Sequence, residues 1–169
     1  MKKNILITGP PRCGKSTVIE KVVERIDLPA TGFFTREIRE QGRRMGFSII
    51  TLDGREGILA HEDIKGRCRV GKYGVNLKDI DSIAVPSMIP IKKDEIVVID
   101  EIGKMECFSL KFREALTAVL DSLNWVIGSI AQKGDAFIQG IKERADVTVI
   151  NVTPKNRDIL IHELLSLIK

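Results

Sequence analysis

The chain of 169 residues predicts a three-layer α/β sandwich on a mostly parallel sheet, with an antiparallel β-hairpin insertion. Three observations carry that expectation. Short apolar runs ending in glycine or acids alternate with segments of helical period, as strands of a parallel sheet alternate with covering helices. A strand, a glycine-rich loop and a helix open the chain as a βα unit. Between about residues 30 and 76 the alternation stops, and β-rich runs with a glycine near each break take over. The length fits one domain over residues 1–169, large enough to bury a core without staples.

Residues 4–9, "NILITG", read as a short buried strand. In 15–26 the residues Val18, Ile19, Val22, Val23 and Ile26 recur at helical spacing, with Glu20, Lys21, Glu24 and Arg25 on the other face. The runs 30–40, 46–54 and 55–62 read as strands of the insertion, and "GKYGVN" (71–76) as a turn or a short strand. Residues 78–90 fit either class; one reading is a helix that Pro86 stops. "EIVVIDE" (95–101) is an apolar run ending in two acids, as a central parallel strand would. An amphipathic helix over 109–123 has a Ser109 cap, and a strand covers 125–130. A short helix weakened by Gly140 covers 135–145, and a strand 146–152. The last helix spans 153–169, with Thr153 as cap and Pro154 at the first helical position.

Composition narrows the function classes. No stretch reaches the ~20 apolar residues that span a bilayer, so no membrane partner is expected and a cytoplasmic location is. Cys13, Cys68 and Cys107 are scattered without CxxC spacing, and His61 and His162 are isolated, which argues against disulfides and soft-metal sites. The net charge of +4 suits nucleic acid or small polyanions alike.

The strongest local signal is the run Gly9, Pro10, Pro11, Arg12, Cys13, Gly14, Lys15, Ser16, which fits G-x-x-x-x-G-K-[ST]. Its glycines let backbone N–H groups converge on a phosphate at the positive end of the next helix. Lys15 then reaches the β- and γ-phosphates, Ser16 places its hydroxyl on Mg²⁺, and Thr17 stands by the α-phosphate. Arg12 and Cys13 read as variable loop positions, with Arg12 facing either solvent or phosphate. Asp100 ends an apolar strand, where its carboxylate can join the Mg²⁺ shell opposite Ser16. Glu101 follows, and a glutamate there suits activation of an attacking water. Ser129, at the tip of another strand, is either a γ-phosphate sensor or an ordinary polar residue near a turn.

"DEIGKMECFS" (100–109), "GKYGVN" (71–76), "TGFFTREIR" (31–39) and "TPKNRD" (153–158), together with the phosphate loop, resemble the small P-loop nucleoside-triphosphatase family described from thermophilic microbes, which has a human member. The resemblance covers nearly the whole chain. It implies a P-loop fold of the catalytic-glutamate division, with parallel strands in the order 5-1-4-3-2. It also implies slow Mg²⁺-dependent hydrolysis of ATP, GTP, CTP and UTP to diphosphate and phosphate by a monomer. Carried over, Gly9 through Ser16 form the first nucleotide-binding segment. Ile99, Asp100, Glu101, Ile102, Gly103, Lys104, Met105 and Glu106 form the second, with Lys15 and Glu101 catalytic and Ser16 and Asp100 on the metal. Lys104 reads as a γ-phosphate partner or as a surface ion pair with Glu106. Asn156 and Arg157 match the family's NRD, as a base cradle or as helix-start residues.

Two rivals stand beside hydrolysis. A nucleotide or small-molecule kinase would want an arginine-rich lid, and "REIREQGRR" (36–44) invites that reading, although its flanks favour a hairpin. A nucleic-acid-binding module would use Arg36, Arg39, Arg43 and Arg44, with Lys65, Arg67, Arg69 and Lys72, beside Phe33 and Phe34. Glu37, Glu40, Glu62 and Asp63 dilute that patch, so nucleic acid is the less favoured partner. A guanine-specific NKxD string is absent.

Overall fold

A computed structural model of the chain describes residues 2–168. Lys169, the end of the predicted last helix, lies outside them. One nine-stranded sheet runs in the order β5-β6-β4-β3-β2-β7-β8-β1-β9. The strands are β1 (Asn4–Thr8), β2 (Ala30–Glu40), β3 (Arg43–Thr51), β4 (Glu56–His61), β5 (Arg69–Val70), β6 (Tyr73–Val75), β7 (Ile96–Ile102), β8 (Trp125–Ile130) and β9 (Val147–Asn151). Neighbours from β9 through β1, β8 and β7 to β2 pair in parallel. Counted among themselves, these five follow the expected 5-1-4-3-2. The full order differs by four antiparallel strands added at one edge.

The sequence pattern leaves open how the insertion joins the sheet, and β2 is the junction. Its first half, from Ala30 to Phe34, pairs in parallel with β7, and from Phe33 onward it pairs antiparallel with β3. Gly32 makes this close pairing possible: a Cβ there would stand 1.9 Å from the Val98 carbonyl oxygen. The hairpins are therefore an extension of the parallel sheet, not an outgrowth from it.

Helices α1 (Lys15–Arg25) and α6 (Arg157–Leu167) cover one face, where Val18, Ile19 and Val22 meet Leu160, Ile161 and Leu164. Helix α4 (Leu110–Asp121), helix α5 (Ala136–Lys142) and the helical segment 77–87 cover the other. Phe33 of β2 meets Phe112 of α4 edge to face, with centroids 6.3 Å apart. Ser109 caps α4, accepting from the Phe112 N–H at 3.0 Å, and Asp135 caps α5, accepting from the Ile138 N–H at 3.0 Å.

Three boundaries depart from the sequence reading. The hairpin turn is only Gln41–Gly42, so Arg43 to Met45 belong to β3. Pro86 does not stop the helical segment. α2 (Leu77–Asp79) passes into a π turn, Ile80–Ala84, and Pro86 sits in the first turn of α3 (Val85–Ser87), where its missing N–H costs nothing. The last helix starts at Arg157, not after Thr153. The Asn156 side chain holds the preceding turn, accepting from the Thr153 N–H at 2.8 Å and donating to the Asn151 carbonyl at 2.8 Å, and that turn absorbs Pro154.

Candidate active site

The phosphate loop links β1 to α1 at the carboxyl edge of the sheet, where open α/β sheets bind ligands. Gly14 (φ 99°) precedes α1 in a left-handed conformation, and Arg12 (φ 63°) shares it. No side chain caps α1, unlike α4 and α5, and its first turn carries no acid. Its free N–H groups are left for an anion. Lys15 lies over the loop, its Nζ donating to the Gly9 carbonyl at 2.9 Å and the Pro10 carbonyl at 3.0 Å. Pro10 and Pro11 are exposed, whereas Cys13 is buried against the loop.

Strand β7 brings the acids to the same edge. Apolar packing of Ile99 and Ile102, both buried, fixes the strand, so these two support the site without facing it. Asp100 is buried, and both of its oxygens accept hydroxyl hydrogen bonds. Ser16 Oγ donates to Oδ2 at 2.6 Å, and Ser129 donates to Oδ1. Ser129 holds Asp100, a contact its sequence position did not suggest. Beyond the acids the chain stays tied to its neighbours, with the Ala131 N–H donating to the Ile102 carbonyl at 3.0 Å. The Asp100–Glu101 peptide is cis.

Glu101 and Glu106 flank Gly103, where a Cβ would stand 2.9 Å from Glu101 Oε1 and 3.0 Å from Glu106 Oε2. Burial raises the Glu101 carboxyl above its ordinary range and Asp100 adds to the rise, while Lys15 opposes it. Glu106 is pushed up well above that range by burial, then by Glu101. Its Oε2 accepts from the Gly103 N–H at 3.1 Å. An ion pair between Lys104 and Glu106 does not form; Lys104 is exposed and faces the cavity instead.

A cavity of about 690 Å³ joins these groups. Lys15, Ser16 and Thr17 line it together with Asp100, Glu101, Met105 and Glu106. Phe47, Leu59 and Val70 of the insertion line it as well. Lys133, in the loop after β8, also lines it and was missed in the sequence. The signal was present, since the ends of parallel strands are where such sheets bind ligands. A smaller cleft of about 170 Å³ lies between Thr17 and Lys21 of α1 and Arg157 and Asp158 of α6. The Arg157 side chain passes 3.4 Å from the position of a Cβ on Gly14. Arg157 thus reaches the nucleotide loop, whereas Asn156 is occupied in its own turn.

The basic residues of the insertion are mostly paired. Arg36 bonds Glu20, Arg39 and Arg44 bond Glu37, and Arg43 and Lys72 bond Glu62. Phe33 is fully buried and Arg36 covers Phe34, so neither ring is open for base stacking. Arg113 is bound to the Cys107 carbonyl at 2.5 Å and to Asp135 at 2.8 Å.

Known proteins share this arrangement. The NTPase family profile matches residues 4–165. A nucleoside-triphosphatase THEP1 from Thermotoga sp. strain RQ2 is 48% identical over 166 residues, covering 98% of this chain and 95% of the relative. The human cancer-related nucleoside-triphosphatase is 37% identical over 186 residues, covering 100% of this chain and 98% of the relative. The crystal structure of THEP1 from Aquifex aeolicus superposes with a TM-score of 0.90 at 34% identity, covering 98% of this chain and 99% of the other. Phosphate loop, paired acids and full-length likeness agree: the chain belongs to the NTPase family of P-loop nucleoside-triphosphatases and hydrolyses nucleoside triphosphates.

Proposed function

We propose that hydrolysis depends on Mg²⁺ held by Ser16 and Asp100, that Glu101 is the base toward water, and that ATP, GTP, CTP and UTP are all substrates. The observation that carries this reading is the placement of Glu101 in one cavity with Lys15 and Ser16, beside an Asp100 already fixed by two hydroxyls.

The donor set suits Mg²⁺. A hydroxyl and a carboxylate are hard oxygen ligands, and Mg²⁺ in phosphate sites takes only one or two protein ligands. When bound, the ion would neutralise charge shared between the β- and γ-phosphates. The α1 N-terminus and Lys15 hold the phosphates by backbone N–H groups and by charge. Water attacks phosphorus, the new O–P bond forms as the bond to the β-bridging oxygen breaks, and the water proton passes to Glu101. Burial favours this role, because a carboxylate with a raised pKa is a stronger base. Lys104, facing the cavity with no ion pair, adds positive charge near the γ-phosphate.

Arg157 and the cleft beside Thr17 lie toward the nucleoside end, and their charged lining favours phosphate and ribose over one particular base. The same reading takes the protein as a cytoplasmic monomer whose thiols stay free. Glu101→Gln tests the reading. It should keep nucleotide affinity and lower turnover by about 10²-fold or more, as loss of a general base does. Normal turnover would mean that the water is positioned by another group.

A further inference from the structure

Hydrolysis of a γ-phosphate spreads negative charge over the equatorial oxygens, and P-loop enzymes answer it with a cation beyond the phosphate-loop lysine. Such a cation must reach the cavity, carry no competing partner and sit on a rigid mount. Arg36 fails because Glu20 holds it, and Arg113 because Cys107 and Asp135 do. Arg157 also lines the cavity, but its side chain lies against Gly14 at the start of α1 and lines the separate cleft beside Thr17. Arg12 belongs to the phosphate loop itself.

Beside Lys104, already placed near the γ-phosphate, Lys133 meets all three conditions. It lines the cavity that holds Lys15 and Glu101, and its side chain makes no hydrogen bond or ion pair among the described residues. Its loop is anchored to both halves of the site. Thr8, next to the phosphate loop, donates its hydroxyl to the Ile130 carbonyl at 2.8 Å. The Ala131 N–H donates to the carbonyl of Ile102, next to Glu101, at 3.0 Å. Lys142 of α5 donates to the Gln132 carbonyl at 2.8 Å. Beyond it, Gly134 packs so closely on Ile138 that a Cβ would approach within 2.6 Å. The loop therefore holds Lys133 in register with phosphate loop and acids at once.

We propose that Lys133 is a catalytic cation supplied in cis, one that binds the γ-phosphoryl group more strongly in the transition state than in the ground state. This rests on the reading that the triphosphate lies with its γ end beside Lys15, and not on the identity of the base. An interaction made mainly in the transition state lowers kcat when lost and leaves ground-state affinity intact.

The experiment compares wild type, Lys133→Ala and Lys133→Arg in ATP turnover, and in titration with ADP and MgCl₂, with and without aluminium fluoride. Loss of one preorganised charge-stabilising donor lowers kcat by about 10²–10³-fold, and that is the fall expected for Lys133→Ala. Its ADP affinity should stay within about threefold of wild type, as selective transition-state binding requires. Aluminium fluoride should tighten ADP binding in wild type, fail to do so in Lys133→Ala, and do so again in part in Lys133→Arg. If wild type and Lys133→Ala tighten alike, or if kcat survives the alanine, the assignment falls. A parallel loss of ADP affinity would make Lys133 a ground-state binding or structural residue. If wild type itself shows no tightening, the placement of the γ end beside Lys15 fails, and Lys133 with it.

Discussion

In the antiparallel half of the sheet, Arg39 and Arg44 share Glu37, Arg43 and Lys72 share Glu62, and Arg36 crosses to Glu20 on α1. In the parallel half, the strand ends present Lys15, Lys104 and Lys133 to one cavity, and none of them has an ion pair among the described residues. Both halves are rich in cations. Among the described residues most of those in the antiparallel half are paired, with Lys65 and Arg67 as exceptions, whereas the parallel half gathers three unpaired lysines at one cavity. Within the parallel half the helix ends differ too: α4 and α5 are capped by Ser109 and Asp135, whereas α1, at the phosphate loop, has no side-chain cap. Charge count therefore says little about where a polyanion binds. Unsatisfied charge and unsatisfied N–H groups say much more.

Substitutions on the two sides should separate accordingly. The largest effect belongs to Lys15→Ala, which removes the charge nearest the β- and γ-phosphates. Phosphate release should fall below detection and nucleotide affinity with it, read by a phosphate assay and a titration. Within the acid cluster, Glu106→Gln reports on stability. Burial and the charges of Glu101 and Asp100 keep the proton on Glu106 in the folded chain at a pH where the unfolded chain has lost it. Folded-state stability is then full below the ordinary glutamate range and declines as pH rises above it. Wild type should melt at progressively lower temperature from pH 5 to pH 8, and Glu106→Gln should show a shallower decline; equal slopes would contradict the assignment. Glu101 shifts in the same direction, so some slope remains in the variant. The smallest effect belongs to the other half. Arg43→Ala breaks an exposed pair, and turnover should stay within about twofold of wild type, in keeping with the small worth of surface ion pairs.

The legible parts of the sequence were those with local signals. The phosphate loop, the apolar strand ending in Asp100 and Glu101, and the Ser109 cap all depend on neighbours a few residues apart. The resemblance to known nucleoside-triphosphatases supplied the order of the parallel strands. What escaped is long-range. β2 serves two partners because Gly32 lets it lie against Val98, which no period in the sequence reveals. Ser129 holds Asp100 across the sheet, 29 positions away in the chain. Thr153 and Pro154 look like a helix start, yet Asn156 spends its side chain on the turn and moves the start to Arg157. Pro86 was misjudged for a different reason, because a π turn ahead of it resets the hydrogen-bond register.

The claim that the parallel edge performs water attack through Glu101 is tested most directly by one comparison. Wild type and Glu101→Gln are given ATP, GTP, CTP and UTP in turn, with Mg²⁺ and no acceptor, and phosphate release is measured alongside nucleotide affinity. Wild type should release one phosphate per diphosphate formed from all four, and the variant should bind each as well while turning over about 10²-fold more slowly or less. Equal turnover by the two proteins would contradict the account.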